Sequence, residues 1–118
     1  MPVRIKLSRK RGWRMPPNTV VVSRPSRWGN PFVIGRHGNR DECVTRFTQL
    51  LNGVIHHGPD LPSETAQQDY LRHLREHGWS LVGKNLACWC PLDEPCHAET
   101  LIHHLRLGGQ DYDTQHTA

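Results

Sequence analysis

The sequence predicts an α/β domain: a small, partly parallel sheet flanked by about three helices in one compact unit. Three observations point there. Short β-branched or apolar runs read as strands at VRIKL (residues 3–7), TVVVS (19–23) and NLACWC (85–90). Three other segments place apolar residues at helical spacing behind a plausible start signal. The order strand, strand, helix, helix, strand, helix then returns the chain to the sheet through helical crossovers, as parallel pairing requires.

VRIKL alternates apolar and basic residues, which suits an edge strand, and TVVVS is the best candidate for a buried one. RPSRWGNPF (24–32) follows as an ordered loop, rich in Pro, Gly and Asn, with FVI (32–34) a short extended segment. In the first helix Asn39 is the cap and Asp41 and Glu42 sit in the first turn. Cys43, Val44, Phe47, Leu50 and Leu51 share one face, and Gly53 ends it. Cys43 on that face packs as a small hydrophobe. Ser63 caps a second helix that buries Ala66, Tyr70, Leu71 and Leu74 and stops at Gly78. NLACWC is the second buried-strand candidate and leads through PLDEP into a third helix. That helix starts at Cys96 and His97, turns Ala98, Leu101, Ile102 and Leu105 inward, and ends at Gly108-Gly109. The expected division is a basic N-terminal strand or arm at 1–18, an α/β core at 19–109 and a polar, disordered tail at 110–118.

The chain has 118 residues and no apolar run near the about 18 that a membrane span needs. Its N-terminus, MPVRIKLSRKRGW, is charged and lacks the apolar stretch of a secretory signal. A cytoplasmic protein is therefore expected, with thiols kept reduced and clustered cysteines serving metal binding or catalysis. A Cys88–Cys90 disulfide would in addition close a very short, strained loop.

The net charge of +4 conceals a division. Residues 1–40 carry ten Lys/Arg and no acid, while all eleven Asp/Glu fall in the rest of the chain. An uncompensated basic half attracts phosphate, and Trp residues interleaved with the Arg suit nucleobase stacking. A nucleotide or nucleic acid is the partner this predicts; a solvated basic arm is the plain alternative.

RPSRWGNPF can hold such a ligand. Arg24 and Arg27 offer forked donors for phosphate, Ser26 and Asn30 donate and accept, Trp28 presents a stacking face, and Gly29 admits close backbone approach. The structural alternative is a rigid turn whose Trp28 and Phe32 plug the core while Asn30 bonds the backbone; for Phe32 that reading is the better one.

The segment ACWCPLDEPCHAETL (87–101) places Cys88, Cys90, Cys96 and His97 within ten positions. Three thiolates and an imidazole satisfy tetrahedral zinc, although neighbouring Cys96 and His97 point about 100° apart if both lie on a helix. His103 or His104 can replace His97 as ligand. Alternatively, Cys96 is a catalytic nucleophile with His97 as base, its thiolate favoured by the helix N-terminus, and Glu99 orients a ligand or moves a proton. In the third reading the cysteines are core and His97 bonds the helix start. His56, His57, His73, His77 and His116 read as surface histidines.

Together, RPSRWGNPFVIGRHGNRDECVTRF and GKNLACWCPLDEPCHAETL resemble domain-of-unknown-function family 4326, small proteins and domains of bacteria and their phages. The matching residues are Trp28, Gly29, Asn30, Pro31 and Phe32, then Cys88, Trp89, Cys90, Pro95, Cys96 and His97, in a resemblance running from 19 to 107. It names no reaction. The leading expectation is a nucleotide- or nucleic-acid-binding domain with a zinc site, capable of group transfer or hydrolysis at a nucleotide if Cys96 or a metal-bound water is the nucleophile. The competing class is a non-enzymatic, zinc-stabilised accessory module that binds nucleic acid or a host protein. Four ligands closing the site would favour it.

Overall fold

The computed structural model describes residues 2–107. The elements run β1 (Arg4–Lys6), β2 (Thr19–Val21), α1 (Arg40–Leu51), α2 (Glu64–His77), a 3-10 turn (Gly78–Leu81), β3 (Asn85–Cys88) and α3 (His97–Leu107). They form the expected α/β arrangement, a three-stranded sheet in the order β1-β3-β2 with both pairings parallel. Arg4 pairs with Leu86 and Thr19 with Asn85.

β3 is thus the central strand, with Leu86, Ala87 and Cys88 all buried. TVVVS is an edge strand and only half-buried, because β3 enters between it and β1; its burial begins past the strand, at Val22. FVI is not extended. It lies in a bend where the His37 and Arg36 amides both return to the Val33 carbonyl.

The helices follow their sequence signals. Asn39 and Glu42 form a reciprocal capping box on α1, and Gly53 closes it at φ +93°, a conformation that disfavours any side chain. Cys43, Phe47, Leu50 and Leu51 are its buried face. Ser63 caps α2 through the Ala66 amide. Ala66 itself is exposed and Gln67 is buried in its place, bonded to both backbone groups of His56 and to the Pro62 carbonyl. The loop before α2 has backbone polar groups to satisfy, and an amide side chain does this where alanine has nothing to offer. Ala98, Leu101 and Leu105 of α3 complete the core. Among the described residues no helix is long and apolar enough to cross a membrane. The expected tail at 110–118, the Gly108-Gly109 stop and His116 lie outside the described residues.

Candidate metal centre and basic pocket

β2 and β3 end side by side, and the chain leaving each strand carries one of the two sequence motifs. Val22 donates its amide to the Ala87 carbonyl, so Ser23 and Arg24 emerge beside Cys88. Ligands of open α/β sheets collect at this carboxyl edge. A pocket of about 310 Å³ opens there, with Ser23, Arg24, Asn30 and Phe32 on one side and Cys88, Trp89, Cys90, Cys96 and His97 on the other. Arg40, from the first turn of α1, completes its wall.

The donor atoms of Cys88, Cys96 and His97 all lie within 4.8 Å of one another, so the three can hold a metal ion. Cys90 Sγ stands 3.7 Å from Cys88 Sγ, and His97 Nδ1 stands 3.8 Å from Cys96 Sγ. Zn–S bonds of about 2.3 Å imply S···S edges of about 3.8 Å in a tetrahedron, so the spacing suits the donor set. The obstacle expected for neighbouring Cys96 and His97 does not arise, because α3 begins at His97 and Cys96 precedes it. His97 Nε2 donates to the Val22 carbonyl at 2.8 Å, which leaves the Nδ1 lone pair toward Cys96. Burial lowers the His97 pKa, keeping the ring neutral as a ligand must be. His103 is exposed and, like His104, sits nearly two turns further along α3, outside the three-residue group.

The pKa directions among the thiols run against the helix-start rule. Hydrogen bonds from Cys88 and then Cys96 pull the Cys90 pKa down, and Arg40 adds to the effect. The same bonds, to Cys88 first, push Cys96 up, with burial adding to them. Cys96 does receive the Ala98 amide at the helix start, but at 2% exposure that contribution loses to its thiol neighbours. Half-buried Cys90, bonded by its thiol neighbours and with Arg40 beside it, is the cysteine whose pKa is lowered.

Glu99 stands apart from the pocket. It is exposed and lies 3.8 Å from Arg4. Arg4 is the residue sequence reasoning missed. Its guanidinium, 6% exposed, donates to the carbonyls of Glu94 (2.8 Å), Pro91 (3.1 Å) and Leu92 (2.5 Å). It therefore clamps the loop between Cys90 and Cys96 from the first strand. Arg40 was missed too; it pairs with Glu94 of that loop at 3.4 Å. Charge alone marks both as cations, and only the tertiary contact reveals what they hold.

The RPSRWGNPF loop meets mostly its own needs. Trp28 is buried at 8% exposure, stacked 4.4 Å from His73, and its carbonyl accepts from Tyr70 Oη. Asn30 Oδ1 accepts the Phe32 amide, Nδ2 reaches the Cys43 carbonyl, and Ser26 Oγ accepts the Trp28 amide. Gly29 makes room for Arg24: a Cβ there would stand 2.6 Å from Arg24 Cγ and 3.1 Å from its backbone nitrogen. Arg27 is exposed, and its charge is felt by His73 rather than by the pocket. Ser26, Arg27, Trp28 and Gly29 are absent from the pocket wall; Arg24 and Asn30 line it.

Fold and site together define a small parallel α/β domain with a cysteine-histidine cluster at the carboxyl edge of its sheet. The chain belongs to the family described as Domain of unknown function (DUF4326), whose model matches residues 5–107. The match begins inside β1. No curated protein and no solved structure matches the chain.

Proposed function

We propose that the protein binds a phosphate-bearing nucleotide or nucleic-acid segment in this pocket, above a zinc ion held by Cys88, Cys90, Cys96 and His97. The observation that supports it is the meeting of Arg24 and Arg40 with the Cys/His cluster around one cavity. A guanidinium pair recognises phosphate oxygens through charge-assisted bonds, and a cavity of about 310 Å³ is large enough for one nucleotide unit. The exposed run Arg9, Lys10 and Arg11 adds long-range attraction for a polyanion. Four donors close a zinc site, which favours a binding module whose metal fixes the pocket floor.

Zinc analysis of protein purified under reducing conditions, with nucleotide titration of the same sample, tests this. Close to one zinc per chain is expected, with binding that weakens steeply as salt rises. Arg40→Ala should weaken binding about tenfold or more, as loss of a charge-assisted bond does. Replacing Arg9, Lys10 and Arg11 together should flatten the salt slope for nucleic acid. Absence of phosphate binding at low salt would sink the reading.

A catalytic reading draws on a different observation: Cys88, Cys96 and His97 alone form the tight three-donor group. Should Cys90→Ser keep the zinc and the protein hydrolyse a phosphoester, the fourth position is open and the site is an enzyme's.

A further inference from the structure

Trp89 stands between two of the proposed zinc ligands. It is 43% exposed, whereas the Trp of the other motif is buried. Trp89 lines the pocket, and the Arg9 guanidinium lies over its ring at 4.6 Å from the centroid. An exposed indole with a guanidinium on it, at the mouth of a cavity flanked by two more arginines, is the set of groups that holds an unpaired nucleotide: an aromatic face for the base and cations for the phosphate. A base already paired in a duplex shows only its edges to a protein, so its face is out of reach of a single ring at the mouth of so small a pocket.

We propose that Trp89 is a stacking platform for an unpaired nucleobase, held at the pocket mouth because Cys88 and Cys90 on either side of it are tied to the metal. This rests on the pocket being a phosphate site and adds what is read beyond phosphate. The ligand class is a 5′-nucleotide with a free base, either a mononucleotide or one residue of a single strand. Arg24 and Arg40 face its phosphate, and Arg9 adds its charge beside the base. Coordination of the flanking cysteines fixes the backbone on both sides of the ring, so metal occupancy and base recognition are coupled.

Calorimetric titration of the 118-residue chain separates the two readings, with inorganic phosphate, ribose 5-phosphate, 5′-nucleoside monophosphates, a short single strand and the same sequence as a duplex as probes. Nucleoside monophosphates should bind about tenfold or more tightly than ribose 5-phosphate, the usual worth of one base stacked on an aromatic side chain. Trp89→Ala should erase that ratio. Trp89→Phe should keep most of it, and chelation should reduce it. A single strand that outbinds the mononucleotide identifies a polymer as the source of the base; the reverse order identifies the free nucleotide. Equal binding of ribose 5-phosphate and mononucleotides by the unaltered protein overturns the platform while the phosphate pocket stands, as does a duplex bound as well as the single strand. If none of the phosphates binds, the pocket reading fails first and the platform with it.

Discussion

The two motifs flanking the pocket share a tryptophan and two prolines and differ in what their other side chains do. Residues 24–32 combine Arg, Trp, Asn and Ser, and most of these groups turn inward: Trp28 under His73 and Tyr70, Asn30 onto the backbone of Phe32 and Cys43. Residues 88–97 carry fewer polar groups, yet their thiols bond chiefly one another and face a cavity. The difference teaches that residue type announces what a loop can do, while the fate of its hydrogen bonds decides what it does. A satisfied side chain has little left for a ligand.

The largest expected effect breaks the second region. With the proposed zinc in place, Cys96→Ser should release it and lower the melting temperature more than any other single change here, since metal binding energy is also folding energy. Cys43→Ser should keep the metal, because Cys43 belongs to the buried face of α1 and its thiol meets the Gly38 carbonyl. Metal content and thermal melting of both variants check this.

The next breaks the first region. Trp28→Ala should cost about 3–5 kcal/mol of stability, in the range of large aromatic truncations in cores. Trp89→Ala, on exposed surface, should stay within about 0.5 kcal/mol. Urea titrations giving equal losses would erase the contrast between the two tryptophans.

Smaller, and sharper, is the clamp. Arg4→Met keeps much of the side chain's bulk but removes the donors to Pro91, Leu92 and Glu94. It should cost about 1–3 kcal/mol and loosen the 91–94 loop, visible as faster amide exchange there. Unchanged exchange would show that the loop is held by Arg40 and its own turn.

These cases also show how far the sequence could be read. Caps and inward faces were legible at Asn39, Ser63, Cys43 and Leu101 because each depends on neighbours within a turn or two. The edge position of β2 was not, since it depends on β3 entering the sheet more than sixty residues later. Arg4 was hidden for the same reason: a cation near the chain start looks like any other until the loop it binds, 87 to 90 residues on, is in place. Expecting the lowered pKa at Cys96 followed a sound local rule, the helix N-terminus, against which the bonds to Cys88 and Cys90, and then burial, raise the Cys96 pKa. The choice of Ala66 over Gln67 failed because hydrophobicity predicts burial only until a loop needs a partner for its backbone.

The smallest expected effect concerns pH, and it belongs to the first motif's continuation. Burial, followed by the charge of Arg36, lowers the His37 pKa below the usual 6.5. The folded state therefore binds fewer protons than the unfolded chain in the window from about 6.5 down to the folded value, so His37 contributes fully above about 6.5 and its contribution is lost as pH falls through that window. The geometry agrees, since Nδ1 accepts the Val33 amide at 2.8 Å and protonation would cancel that bond. Melting temperatures across mild acid should fall less steeply in His37→Gln; an identical slope would assign the acid sensitivity to other buried histidines.

The strand order has a consequence for a chain made from one end. During synthesis β1 and β2 both leave the ribosome without a neighbour, because among the described residues each pairs only with β3. A nascent chain that stops before Asn85 holds two unpaired edges and no sheet, however well α1 and α2 have coiled. The next dozen residues bring the central strand, the clamped loop and the Cys/His cluster out almost together. Closure of the sheet and the first opportunity to capture a metal ion thus fall in the same short interval of translation, and a chaperone or an incorrect pairing has all the preceding time to act.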